Sequence, residues 1–247
     1  MKKLIGSAAA ALLVFTLTAC SDVVSHQLPV SNQPSSTTAA KSQNNGKSVL
    51  FIGQEGGGDG IVIKRFKEKH GLNVTVVSDK EVTTEKANGF SLIYVSESVN
   101  SGKIKDKFVA TPVPVIYDEP QISGDTGMTD PDMNGKLEGE NATKTIQIRN
   151  AQHPLAAGLN NTVDVYKDNG KMSWATPGKD AIVVATLPDD EQKATIFAYD
   201  KGSQNVKGQM VPAREVFFYM MFGEEINQTD DGWKLFDAAV RWATEKK

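Results

Sequence analysis

Between residues 49 and 117 the chain repeats one pattern: a short, almost wholly apolar run, then a polar segment able to form a helix. The runs are Val49-Leu50-Phe51-Ile52, Asn73-Val74-Thr75-Val76-Val77, residues 91–95 and residues 113–117. A strand that lacks inside–outside alternation is buried on both faces, as in a parallel sheet covered on both sides. After the first run, Gly53-Gln54-Glu55-Gly56-Gly57-Gly58-Asp59 leads into a helix for which Asp59 is the expected N-cap. Val62, Ile63 and Phe66 share one face of that helix, and Gly71 is its expected stop. Residues 84–88 and 103–108 are shorter helix-compatible links. The β-α-β-α-β order predicts an α/β fold with a doubly wound, mostly parallel sheet, its right-handed crossovers placing helices on both faces.

The second half changes character. Residues 145–149, 163–166, 181–187, 194–199 and 215–221 read as strands separated by turn signals such as Asp168-Asn169-Gly170, so some antiparallel pairing is expected there. Residues 121–144 read as a loop. The final helix is expected over 233–244, with Trp233, Phe236, Ala239, Val240 and Ala243 as its apolar stripe and Asp230 and Asp231 at its positive end.

The amino terminus sets a different constraint. Lys2 and Lys3 precede an uncharged stretch that ends in Leu17-Thr18-Ala19-Cys20. The stretch is shorter than the roughly 20 residues that span a bilayer and suits a signal peptide. Its end resembles the bacterial lipobox. The resemblance implies cleavage after residue 19 and a diacylglyceryl group on Cys20, hence an extracytoplasmic, lipid-anchored protein. Two acyl chains give stable anchoring, each buried CH₂ contributing about 0.8 kcal/mol. Residues 20–47 then form the expected tether. Their Ser, Thr, Gln, Asn and Pro cannot bury enough surface to order themselves, and a coil of that length spans about 30 Å. The folded domain is expected over 48–247.

Of the 247 residues only Cys20 is a cysteine, so an internal disulfide is impossible and the domain has no thiol for covalent work. A formal net charge of −3 gives no basic field for nucleic acid.

The opening strand, loop and helix, the segment 92–98 with Pro112-Val113-Pro114-Val115 and Asp118-Glu119-Pro120, and His153-Pro154-Leu155-Ala156-Ala157-Gly158-Leu159 with the closing helix together resemble the class I glutamine amidotransferase-like group, including its ThuA-like members. The resemblance implies a flavodoxin-like domain. Amidotransferases of this group use a cysteine on a sharp strand-to-helix turn, and here the domain has none. Fold alone does not carry function.

Several constellations remain as candidates. Ser96-Glu97-Ser98 follows the third strand, where a nucleophile elbow would lie, but without the glycines that such a turn requires; His153 is the candidate base. The same serines equally suit bracing of a loop. The glycine-rich loop can cradle an anion at a helix N-terminus or form a tight turn, and Glu55 and Asp59 oppose phosphate. Ligands of open parallel sheets bind beyond the carboxyl ends of the strands. That edge is expected to gather Gln54, Glu55, Asp59, Ser96, Glu97, Asp118 and Glu119, groups that suit sugar hydroxyls, a cation, or no ligand at all. Glu97 and Glu119 form a candidate carboxylate pair for glycoside hydrolysis. Trp174 is read either as a sugar-stacking ring or as core. Asp130, Asp132 and Asn134 match the first half of a calcium loop, although position twelve is Asn141 and Pro131 intervenes. Calcium is thus the one ion with a motif, and no other cofactor is predicted. The expectation is an envelope binding or accessory module, with carbohydrate or a protein as partner; the alternative is a glycan hydrolase.

Overall fold

A computed structural model describes residues 47–245. The expected leader, Cys20 and, but for Lys47, the tether lie outside the described residues. Strand β1 (Ser48–Ile52) is buried at every position because it pairs in parallel with both β2 (Asn73–Val77) and β3 (Leu92–Val95). β2 is the edge strand of this group, and its alternating exposure follows from that place. β3 pairs in parallel with β4 (Val115–Tyr117), and β4 with β11 (Glu215–Phe218). The order β2-β1-β3-β4-β11 is the flavodoxin-like one.

Beyond β11 the sheet continues antiparallel through β10 (Asp190–Tyr199), β9 (Ile182–Leu187), β6 (Thr145–Ile148) and β7 (Thr162–Asp164). Off this path β8 (Met172–Pro177) pairs with β10, and β5 (Thr129–Leu137) with β8. The expected α/β fold, parallel first and partly antiparallel afterwards, is the one formed.

Several boundaries differ from expectation. Helix α1 (Gly57–His70) starts two residues before Asp59, with Gly56 as N-cap, so Asp59 lies in the first turn and is not the cap. It ends at Gly71, whose φ of 62° is the left-handed conformation that glycine adopts freely. Helix α4 (Asp230–Thr244) begins three residues early because the Thr229 hydroxyl accepts the Gly232 N–H at 3.0 Å.

β5 replaces the expected loop. Its sequence, with Pro131, Asn134 and Gly135, has turn composition; pairing with β8 overrides it. The irregular register between Thr129 and Asn134 accommodates Pro131 and leaves Asp132 at φ 61°. Gly135 faces Trp174, and a Cβ there would lie 2.7 Å from the indole.

The two faces of the parallel sheet are covered unequally. Over one lie α1 and α4, with Phe66, Phe236, Phe51, Tyr94 and Phe218 in one aromatic core. The opposite face is expected to carry helices too, but it is covered by single turns, including α2 (Ser101–Ile104) and α3 (Ser123–Thr126). Polar, short links leave no room for longer helices.

α1 and α4 are tied by one buried carboxylate. Asp237 of α4 accepts both Nε and Nη2 of Arg65 at 2.7 and 2.8 Å, and Nε2 of His70 lies 2.9 Å from Oδ1. Burial pushes the Asp237 carboxyl up, but the hydrogen bonds from His70 and Arg65 outweigh it and hold the group down at about 2. A carboxylate with a lowered folded-state pKa stabilises the fold above its unfolded value of about 3.9, and that contribution disappears as pH falls through about 2. Asp237→Ala, which leaves Arg65 without its partner, is expected to destabilise the domain by about 3 kcal/mol at neutral pH. Denaturant unfolding measured at decreasing pH should show the difference from the native chain shrinking below pH about 4.

Candidate functional site

At the carboxyl edge of the parallel strands the loops after β1 and β3 part from each other, the topological switch point at which open sheets bind ligands. Asp59 holds the two loops together. It is fully buried; its Oδ2 accepts the Gln54 N–H at 2.7 Å and the Ser98 hydroxyl at 2.6 Å, and its Oδ1 accepts the Ser96 hydroxyl at 2.5 Å. Gly53 permits this approach, since a Cβ there would stand 2.6 Å from Asp59 Oδ2. The serine pair is therefore a loop brace.

Four more carboxyl groups surround this brace. Asp118, directly after β4, receives the Tyr94 hydroxyl on Oδ2, while its buried Oδ1 has no hydrogen-bond partner. Glu119 accepts the Gln121 N–H at 2.9 Å and is 3% exposed. Glu97 accepts the Phe222 N–H at 3.2 Å, and Glu225 accepts the Gly223 N–H at 2.7 Å. Glu225 packs on the first turn of α1, where a Cβ on Gly58 would come within 1.9 Å of its carboxyl. The glycines of the loop thus make room for the chain's own acids, and the positive end of α1 meets Asp59 and Glu225 where an external anion was one expectation.

Crowding acids away from water disfavours their charged forms. Burial raises Asp59 and Glu97 despite their hydrogen bonds and lifts Asp118 well above the usual carboxylate range, with the charges of Glu225, Asp59 and Glu97 adding to it. Burial, reinforced by Glu97, pushes Glu119 to about 7, and burial raises Glu225 to about 6. Lys136 acts on both Glu97 and Glu119 in the opposite sense, and Lys171 on Glu97. The edge therefore gathers acids whose charged forms burial disfavours, each held by a hydrogen bond from a backbone N–H, a serine or a tyrosine.

Of the expected binding residues, Asp59, Ser96, Glu97 and Glu119 meet here, and Gln54 and Glu55 are exposed on the adjoining loop. His153 does not join them. It caps the turn Pro154–Ala156, where its Nδ1 accepts the Leu155 N–H at 3.3 Å, and its ring stands 5.5 Å from Trp242. Trp242 in turn lies under Arg214, the residue just before β11, at the opposite edge of the sheet. His153, the candidate base, thus braces the turn before Pro154 and does not meet Ser96; sequence spacing carries no information on which strand end a distant histidine reaches. Asp130, Asp132 and Asn134 lie along β5, not in a calcium loop flanked by helices. No group of three or more His, Cys, Asp or Glu side chains set for a metal ion occurs among the described residues. Trp174 is half-buried with Lys193 4.9 Å over its ring, which makes it a packing residue.

Glu225, Lys136 and Lys171 were missed by sequence reasoning. The signal for Glu225 was the Phe222-Gly223-Glu224-Glu225 loop after β11, legible once β11 is known to be the fifth parallel strand.

No family model matches the sequence, and no curated protein matches it. Solved structures do. A candidate GMP synthase component from Thermoplasma acidophilum superposes with a TM-score of 0.51 at 11% identity, over 78% of this chain and 92% of that one. A glutamine amidotransferase from Thermotoga maritima gives 0.50 at 10% identity, over 81% and 99%. The chain has a glutamine amidotransferase-like fold. At such identities the likeness concerns the fold alone.

Two outcomes follow from the acid cluster. Glu119 and Glu225, together with Glu215, which burial lifts to about 8 at the start of β11, all hold protons in the folded state that the unfolded chain releases near 4.5. The unfolded state therefore binds fewer protons across this window, and stability falls as pH rises from about 5 to about 8. Urea unfolding across that range should show the decline, and Glu215→Gln should flatten its upper part; a flat or rising native profile would contradict the buried acids. Glu97→Gln removes a charge acting on Glu119, so the side-chain carboxyl of Glu119, followed by NMR, should titrate below its native value of about 7.

Proposed function

We propose that this chain is a lipid-anchored, extracytoplasmic binding or accessory module, without amidotransferase activity, whose carboxyl-edge crevice takes a polyhydroxyl ligand such as an envelope carbohydrate. The observation that carries the reading is the gathering of Asp59, Glu97, Asp118, Glu119 and Glu225 at the carboxyl edge, where the buried Oδ1 of Asp118 has no hydrogen-bond partner. A neutral acid donates, a carboxylate accepts and an ammonium donates, and a sugar diol needs both roles within one short span. The domain has no cysteine to serve as the nucleophile of the resembling enzymes, and the serine after β3, Ser96, is bonded to Asp59. Cys20 is reserved for the membrane in this reading, which accounts for the sole thiol lying in a lipobox-like sequence.

One observation favours a second reading, a glycan hydrolase. Glu119 is poised at about 7 and coupled to Glu97, which resembles the division of labour between a general acid and its partner carboxylate.

Calorimetry with soluble envelope glycan fragments, run beside a reducing-end assay, separates the two. A binding module gives saturable heat without new reducing ends, and Glu119→Gln weakens binding about tenfold, the loss of one charge-assisted hydrogen bond. A hydrolase releases reducing ends, and Glu119→Gln abolishes the release. No heat and no release at millimolar fragment would overturn both. The anchor is tested separately: Cys20→Ala should move the protein from the membrane fraction to the soluble one and abolish the acyl mass on its amino terminus.

A further inference from the structure

Where β1, β2, β3, β4 and β11 begin, at the edge opposite the acid cluster, lies a cavity of about 870 Å³. Its size suits a small ligand. Phe90, Leu72, Val113, Pro114, Pro212 and Ala213 give it apolar walls. Its charged border is basic in effect. Arg214 is 5% exposed, stacks 4.5 Å over the Trp242 ring and donates to Asp200 Oδ1 at 3.2 Å and to the Glu245 carbonyl at 3.3 Å. The two acids of the border, Asp200 and Glu245, both lie against this guanidinium, at 3.2 and 3.8 Å. One guanidinium balances only one of the two, so with Lys47 and Lys201, both exposed and neither in an ion pair among the described residues, the border is left with an excess of a single positive charge. His70 completes the wall, its ring fixed by Asp237, which Arg65 clamps.

We propose that this cavity binds an amphipathic anion, a molecule with an apolar body ending in a carboxylate. The body lies against the proline and Phe90 walls, removing their surface from water. The carboxylate is drawn to Lys47 and Lys201, where charge-assisted hydrogen bonds replace its hydration. The site is separate from the carboxyl-edge crevice and does not rest on the reading of that crevice.

Dodecanoate is the probe, with dodecanol as its neutral and dodecyltrimethylammonium as its cationic counterpart, each titrated into the purified chain by calorimetry and by tryptophan fluorescence. Trp242, beneath Arg214, reports occupancy. Dodecanoate is expected to bind at least tenfold more tightly than either counterpart. Lys47→Glu with Lys201→Glu, both at exposed positions, should weaken dodecanoate at least tenfold and leave dodecanol unchanged. Ala213→Phe should weaken both by filling the cavity, and Glu119→Gln at the far edge should change neither. The proposal is overturned if dodecanoate gives no signal at millimolar concentration, if the three amphiphiles bind alike, or if the double charge reversal leaves dodecanoate binding intact.

Discussion

The loops that follow β1 and β3 leave the sheet in opposite directions, and nothing in the strand pairing joins them beyond Ile52 and Val95. Asp59 supplies that join. One side chain accepts from the backbone of the first loop and from two hydroxyls of the second, so the two loops keep a defined arrangement where the sheet itself imposes none. Each hydrogen bond to a charged acceptor is worth roughly 1.5–3 kcal/mol, and together they offset part of the cost of burying the carboxyl, whose desolvation still prevails and raises Asp59. The glycines around it are required by this contact: Gly53 stands against Asp59, and Gly58 against Glu225.

The remaining acids are held at some cost to the fold. Asp118 keeps one oxygen without a partner, and Glu119 and Glu225 retain protons that water would remove. An interior selected for stability alone would replace such groups with apolar ones, because unsatisfied or repelling polar groups each lose on the order of 1–3 kcal/mol. Clusters of this kind, where burial and like charges perturb several acids at one strand edge, are what motivates the proposed binding role. The clamp of Asp237 by Arg65 and His70 is the contrasting case: an equally buried carboxylate, but fully satisfied, acting only to bind α1 to α4.

The parallel half was legible because double burial writes itself as unbroken apolar runs, as in Val49-Leu50-Phe51-Ile52, and because Gly71 stops α1 by a local rule. β5 was not legible. Its residues favour turns, and only the partner strand β8 makes them extended. The same division holds for the crevice. Ser96, Glu97 and Glu119 sit just past recognisable strands and could be placed by topology. Glu225 depends on β11 running parallel to β4 although it follows an antiparallel strand, and His153 depends on which edge a distant turn reaches; neither is a local property.

α1 links the two edges of the sheet electrically as well as sterically. It starts among the acids at the carboxyl edge and ends at the amino edge, with Lys67, Lys69 and His70 in its last turn. Its positive end therefore faces Asp59 and Glu225, and its negative end is met by cations, the arrangement a helix dipole favours at both termini. The formal charge of −3 conceals this separation. Acids gather at one end of the parallel strands, and the cations Lys47, Lys201 and Arg214 outnumber Asp200 and Glu245 at the other, so a small net charge coexists with an uneven distribution of charge. The two proposals sort ligands accordingly: hydroxyl-rich molecules to the end where the acids gather, and anions with apolar bodies to the end where lysines border apolar walls.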